Sequence, residues 1–222
     1  MNAVHKENAN PIDYEAVKRD ILAQYGTVHS SAFNVESACR ARIDYLKGFL
    51  RTNKLKGFVL GISGGVDSFS AGSLAQKACT ELRAEGYEAY FYAVRLPAGI
   101  QRDESDAQDS LKAMAPDKIL TINIGNASNE LNTACLAAVE STGNNLTPEQ
   151  ADYHKGNIKA RLRMAAQYHL AAVYQSVVLG TDHPAENITG FFTKGGDGLC
   201  DLLVLDGLSK NQVRLVAAYF GA

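Results

Sequence analysis

Four short apolar runs constrain this chain most. They are residues 57–62 (GFVLGI), 89–96 (AYFYAVRL), 118–124 (KILTINI) and 176–180 (SVVLG). The first shows no alternation of apolar and polar positions, which suits a strand covered on both faces, as in a parallel sheet. Stretches with helical character lie between the runs. Residues 68–83 place Leu74, Ala75, Ala78 and Leu82 on one face. Further helices are expected over 103–114, about 127–140 and about 148–174. Ahead of the first strand, residues 13 to about 50 read as two helices. Val17, Ile21 and Leu22 recur at helical spacing in one, and Ala38, Ile43, Leu46 and Leu50 in the other. Residues 202–205 suggest a short fifth strand and 210–220 a last helix. Strands alternating with helices predict an α/β fold, a doubly wound parallel sheet flanked by helices. In such sheets ligands bind beyond the carboxyl ends of the strands.

The bulk numbers narrow the function. At 222 residues and 46% hydrophobic, the chain is expected to form a single domain, residues 1–222, with a sizeable core. A net charge of -2 gives no basic excess to attract nucleic acid. Cys39, Cys79, Cys135 and Cys200 lie far apart, so neither a zinc site nor a disulfide framework is indicated. That pattern fits a reducing cytoplasm. No apolar run nears the roughly 20 residues that span a bilayer. The opening MNAVHKENANPIDYEAVK lacks the apolar centre of a secretory signal.

The strongest motif is Ser63-Gly64-Gly65-Val66-Asp67-Ser68, between the first strand and a helix. Two glycines let backbone N–H groups approach a phosphate closely. Ser63 and Ser68 add hydroxyl donors, and the helix start adds its positive dipole end. Asp67 would repel a bare polyphosphate, which suggests a Mg²⁺ between them. The GK[ST] ending of a Walker A loop is missing, as is GxGxxG spacing. Read plainly, the same residues are a glycine turn with Asp67 or Ser68 as helix cap.

Three further segments stand out. Gly180-Thr181-Asp182-His183-Pro184-Ala185-Glu186 follows the fourth strand. Thr181 is placed to donate to a phosphate or ribose, and Glu186 offers a second carboxylate for a metal. An ordinary strand-to-helix loop, capped by Thr181 or Asp182, accounts for it equally well, and His183 is left unassigned. The run from Thr189 to Gly198 carries four glycines, Phe191, Phe192 and Lys194, the make-up of a ligand-wrapping loop. In Lys155-Gly156-Asn157-Ile158-Lys159-Ala160-Arg161, Asn157 and Arg161 lie about one helical turn apart, and an arginine there suits phosphate. A solvated basic face is the plainer account of that run.

SGGVDS matches the SGGxDS signature of the PP-loop ATP pyrophosphatases, the adenine nucleotide alpha hydrolase-like type. Those proteins cleave ATP between its α and β phosphates and pass AMP to a substrate oxygen. Taken with AVRLPAGIQRDESDAQ, KGNIKARLRMAAQY, VVLGTDHPAENITGFFTKGGDG and DGLSK, in that order, the chain resembles the ammonia-dependent NAD synthetase family from about Arg42 to Phe220.

The resemblance implies ATP-dependent amidation of deamido-NAD by ammonia through an adenylate, releasing pyrophosphate and AMP. It implies that Gly61, Ile62, Ser63, Gly64, Gly65, Val66, Asp67 and Ser68 form the ATP loop. Thr181 and Lys210 would also meet ATP, and Arg95 would lie near adenine. Asp67 and Glu186 match the family's metal ligands, with Mg²⁺ the expected ion. Arg161, Lys194 and Asp201 match positions that hold deamido-NAD. Asp67 and Lys210 are the residues expected to matter most for catalysis. A homodimer with deamido-NAD across the interface is implied, and neither nucleic acid nor membrane is an expected partner.

Two departures from the family are visible. Family members continue for several dozen residues beyond GLSK, so the family's C-terminal segment is expected to be missing here. His154 stands where many relatives have Asn, which is expected to alter contacts with deamido-NAD. Glutamine-dependent relatives carry an amidase domain before the ATP loop. Only about sixty residues precede that loop here, so free ammonia is the expected donor. Two other readings are open: a sister PP-loop ligase, tRNA-thiolating or GMP-synthetase-like, and a nucleotide-binding module without catalysis.

Overall fold

The computed structural model describes residues 13–99 and 104–222. The expected helix start at Asp103, and residues 100–103 of the AVRLPAGIQRDESDAQ segment, lie outside the described residues. Five strands form the sheet: β1 (Gly57–Gly61), β2 (Tyr90–Arg95), β3 (Lys118–Thr121), β4 (Val177–Gly180) and β5 (Leu202–Leu203). Their order is β3-β2-β1-β4-β5, and every pairing is parallel. The chain winds outward from β1 to β3, then returns across the sheet to place β4 on the other side of β1. The switch point therefore lies between the carboxyl ends of β1 and β4, where a crevice is expected.

Both faces of the sheet are covered, as the unalternating first run predicts. Phe58, Leu60, Phe91, Ala93 and Leu179 pack into one core. Val59, Tyr92, Val94 and Val178 face a second. The first core is roofed by α2 (Val35–Asn53), α3 (Val66–Ala84), α4 (Glu104–Met114) and α8 (Lys210–Tyr219). The second lies under α6 (Pro148–Val173), with α5 (Gly125–Glu140) packed against that helix. A further helix, α1 (Tyr14–Gln24), precedes α2.

Helix ends follow their capping residues. Asn34 Oδ1 accepts the Ser37 N–H at 2.8 Å and starts α2. Thr147 with Gln150, and Ser209 with Gln212, form capping boxes at α6 and α8. Two details differ from the sequence reading. The third strand stops at Thr121, although Ile122 and Ile124 still donate to the Arg95 and Pro97 carbonyls. Between the segment after β4 and the glycine-rich run lies a short helix, α7 (Pro184–Thr189), to which no expected element corresponds. Its cause is local: Pro184 pre-sets the first turn, and Gly190 closes the last at φ 65°. Among the described residues, no helix is long and apolar enough to cross a membrane.

Candidate active site at the switch point

The loop after β1 is held by its own backbone. Ile62 N–H donates to the Val94 carbonyl at 2.9 Å, extending the β1–β2 ladder. Gly64 adopts φ 89°, and a Cβ there would stand 2.9 Å from the Ala107 backbone nitrogen. The position therefore requires glycine twice over, for conformation and for room. Ser63 Oγ accepts the Gly65 N–H at 3.2 Å, and the Ser68 hydroxyl donates to the Gly65 carbonyl at 3.0 Å. Gly65 caps α3 with no side-chain bond, so no capping side chain takes up the first-turn N–H groups of the helix.

Two side chains support this loop, one buried and one half-buried. The Arg95 guanidinium donates from Nη1 to the Ile62 carbonyl at 2.7 Å. Gln167, on α6, accepts the Gly61 N–H at 2.6 Å and donates to the Arg163 carbonyl at 3.3 Å. The loop is thus clamped between β2 on one side and α6 on the other.

The end of β4 contributes side chains. His183 is 2% exposed, and its Nε2 lies 3.5 Å from Asp67 Oδ1 and 3.9 Å from Glu186 Oε2. Glu186 sits in the first turn of α7. Lys210, first residue of α8, reaches across to Asp67, with its ammonium 2.7 and 2.6 Å from the two carboxylate oxygens. The same ammonium is 3.3 Å from His183 Nε2. Asp67, His183 and Glu186 each offer a ligand atom, all within 4.8 Å of one another. Two carboxylates and an imidazole suit a divalent cation. Asp182 is buried beside this group. Burial first, then the negative charges of Glu186, Asp197 and Asp67, push its carboxyl up to about 6.

A cavity of about 450 Å³ opens between the two strand ends. Its lining is mixed: Ser63, Asp67, Thr181, Glu186, Arg163 and Asp197 are polar, and Leu96, Ala160 and Leu199 apolar. Such a lining suits a ligand with both charged and apolar parts.

Apart from Lys210, the expected site residues fall into four groups. Gly61, Ile62, Ser63, Asp67, Ser68, Thr181 and Glu186 line the cavity, and Gly64, Gly65 and Val66 complete the loop. Arg95 stands apart, buried behind the loop and outside the cavity wall, so its described contact is support for the loop backbone. Arg161 and Lys194 come together at the surface, where Arg161 Nε donates to the Lys194 carbonyl at 3.1 Å. Asp201 is engaged elsewhere. One oxygen accepts the Val178 N–H at 2.8 Å and the other the Tyr168 hydroxyl at 3.3 Å. His154 is exposed on α6, its ring edge-on to Tyr153.

His183 and Gln167 are site residues that the sequence reading passes over. For His183 a signal exists: it precedes Glu186 by three at a helix start, so both project to one side. Nothing local marks Gln167.

Comparison with known proteins agrees with this geometry. The family model described as NAD synthase matches residues 38–222. A relative from Burkholderia lata, named NH(3)-dependent NAD(+) synthetase, is 47% identical over 94% of this chain and 72% of its own length. The crystal structure of NAD+ synthetase from Burkholderia pseudomallei superposes with a TM-score of 0.84 at 42% identity, covering 97% of this chain and 77% of that one. The structure of NMN synthetase from Francisella tularensis matches with a TM-score of 0.69 at 33% identity, covering 85% of this chain and 71% of that one. A match running through both strand ends, at this identity, settles the lineage: the chain belongs to the NAD synthase family.

Proposed function

We propose that this chain is an ammonia-dependent NAD synthetase, which converts deamido-NAD, ATP and ammonia to NAD, AMP and pyrophosphate. The observation that carries the reading is the meeting of Asp67, Glu186 and Lys210 at the mouth of the glycine loop. It gathers acidic and basic groups where a triphosphate would lie along the α3 N-terminus. The identity with relatives named NH(3)-dependent NAD(+) synthetase supports the choice of substrates.

In this reading residues 61–68 and Thr181 hold ATP, and Arg161, Lys194 and Asp201 hold deamido-NAD. Asp67 and Glu186 would hold Mg²⁺, whose charge offsets that of the phosphates when it is bound. The nicotinate carboxylate attacks the α-phosphorus and pyrophosphate leaves. Lys210 and the loop N–H groups offset the negative charge that builds on the phosphate oxygens. Ammonia then attacks the activated carbonyl carbon, sheds a proton, and AMP departs with the former carboxylate oxygen. Catalysis needs no covalent enzyme nucleophile and rests on positioning and electrostatics.

We read the chain as one domain working in the cytoplasm as a homodimer. The outer helices support the dimer: Ser128 in α5 and Ala171 in α6 are the buried residues there, while Tyr153 and Val173 are 69% and 59% exposed. The test is production of AMP and NAD from ATP, Mg²⁺, deamido-NAD and ammonium. Turnover that needs all four supports the reading. The likeness to an NMN synthetase supplies the control, nicotinate mononucleotide in place of deamido-NAD. Preference for the mononucleotide would replace the dinucleotide assignment.

A further inference from the structure

The Lys210 ammonium lies against two of the three side chains that could hold a cation, Asp67 and His183. It contacts Asp67 Oδ1 at 2.7 Å, Asp67 Oδ2 at 2.6 Å and His183 Nε2 at 3.3 Å. An ammonium has three N–H donors and no acceptor. With the ring proton on Nδ1, a buried atom with no hydrogen-bond partner among the described residues, Nε2 presents its lone pair to that ammonium. His183 is buried, at the N-cap position of α7 with Pro184 following. Its Nε2 stands 3.5 Å from Asp67 Oδ1 and 3.9 Å from Glu186 Oε2. Donors around one ion with bonds of about 2.1 Å stand about 3–4.2 Å apart, the span from adjacent to opposite corners of an octahedron. Both separations fall inside that span.

We infer that His183 Nε2 is a third protein ligand of the divalent cation that the proposed function assigns to Asp67 and Glu186, and that Lys210 competes with this cation for one position. The inference rests on that metal assignment. It has two consequences. A nitrogen donor shifts preference from Mg²⁺ toward Mn²⁺ and Co²⁺. Displacement of Lys210 also frees its ammonium to face the phosphates, so cation loading and the readying of Lys210 become one event.

The experiment is Mn²⁺ binding to the full chain followed by electron paramagnetic resonance, alone and with α,β-methylene ATP. Bound Mn²⁺ is expected to show the nitrogen-14 coupling of a directly ligated imidazole, present in Lys210→Gln and lost in His183→Asn. Lys210→Gln is expected to bind Mn²⁺ about tenfold more tightly without nucleotide, because a positive charge has left the position. This second arm does not depend on the buried histidine tolerating replacement, since the Lys210 side chain is 36% exposed. Mn²⁺ binding that is lost in Asp67→Asn, yet shows no nitrogen coupling in the parent chain, overturns His183 as a ligand. Unchanged or weaker binding by Lys210→Gln overturns the competition. Both results leave the metal assignment standing. Mn²⁺ binding that Asp67→Asn leaves unchanged removes that assignment, and the inference with it.

Discussion

The two strand ends that flank the switch point do different work by different means. Beyond β1 the chemistry is in the backbone: glycines, free N–H groups and a helix start, fixed by hydrogen bonds inside the loop. Beyond β4 it is in side chains, with Asp182, His183 and Glu186 fixed by burial and by the short α7. Asp67 and Lys210 bridge the two. In the proposed function the first end would cradle phosphate, and the second would add the charges that act on it.

Breaking the bridge should have the largest effect. Asp67→Ala is expected to lower AMP formation by about a thousandfold or more, since it removes a carboxylate proposed to hold the metal and takes away the carboxylate that Lys210 pairs with. Near-parental turnover in an AMP assay would separate the two ends and contradict the bridge. Lys210→Gln should cost about a hundredfold in kcat with a smaller change in KM for ATP, because its charge matters most as charge builds on phosphate.

Gly64→Ala tests the backbone end. The new Cβ would press on the Ala107 backbone at a φ that alanine resists. A loss of about 1–3 kcal/mol in urea unfolding is expected, together with weaker ATP binding. A fully stable variant with intact ATP affinity would show that the cradle does not need its glycine.

Asp182 tests the side-chain end through pH. Its folded-state pKa of about 6 lies above the ordinary 3.8. Between those values the folded chain holds more protons than the unfolded one. Stability from this group is therefore full below about pH 4 and is lost as pH rises through about 6. Asp182→Asn should remove the loss, stabilising the chain by at most about 3 kcal/mol at pH 8 and by little at pH 4. Melting curves at the two pH values check this. An equal effect at both would mean that the carboxyl titrates normally.

The same contrast explains what could be read from sequence. The cradle was legible because its rules are local: an apolar strand, two glycines and a helix start lie within a dozen consecutive residues. The parallel sheet was legible for a similar reason, since runs such as GFVLGI announce burial on both faces. The group of charges was only partly legible. Asp67 and His183 are separated by more than a hundred residues, and only the crossing from β3 to β4 brings them together. Helix α7 has six residues, too few to show an apolar period. Gln167 carries no mark at all, because its role is set by where α6 crosses the end of β1. Arg95 shows a different limit. A charged residue at a strand end invites assignment to the ligand, and no pattern in the sequence shows that its guanidinium also donates to the Ile62 carbonyl.

The central claim is that these strand ends adenylate a carboxylate before ammonia enters. The most direct measurement uses deamido-NAD labelled with oxygen-18 at both nicotinate carboxylate oxygens, with the AMP and NAD analysed by mass spectrometry. The account predicts one labelled oxygen in AMP and the other retained in the amide of NAD. Label in pyrophosphate, or unlabelled AMP formed alongside NAD, would contradict attack of the carboxylate on the α-phosphorus.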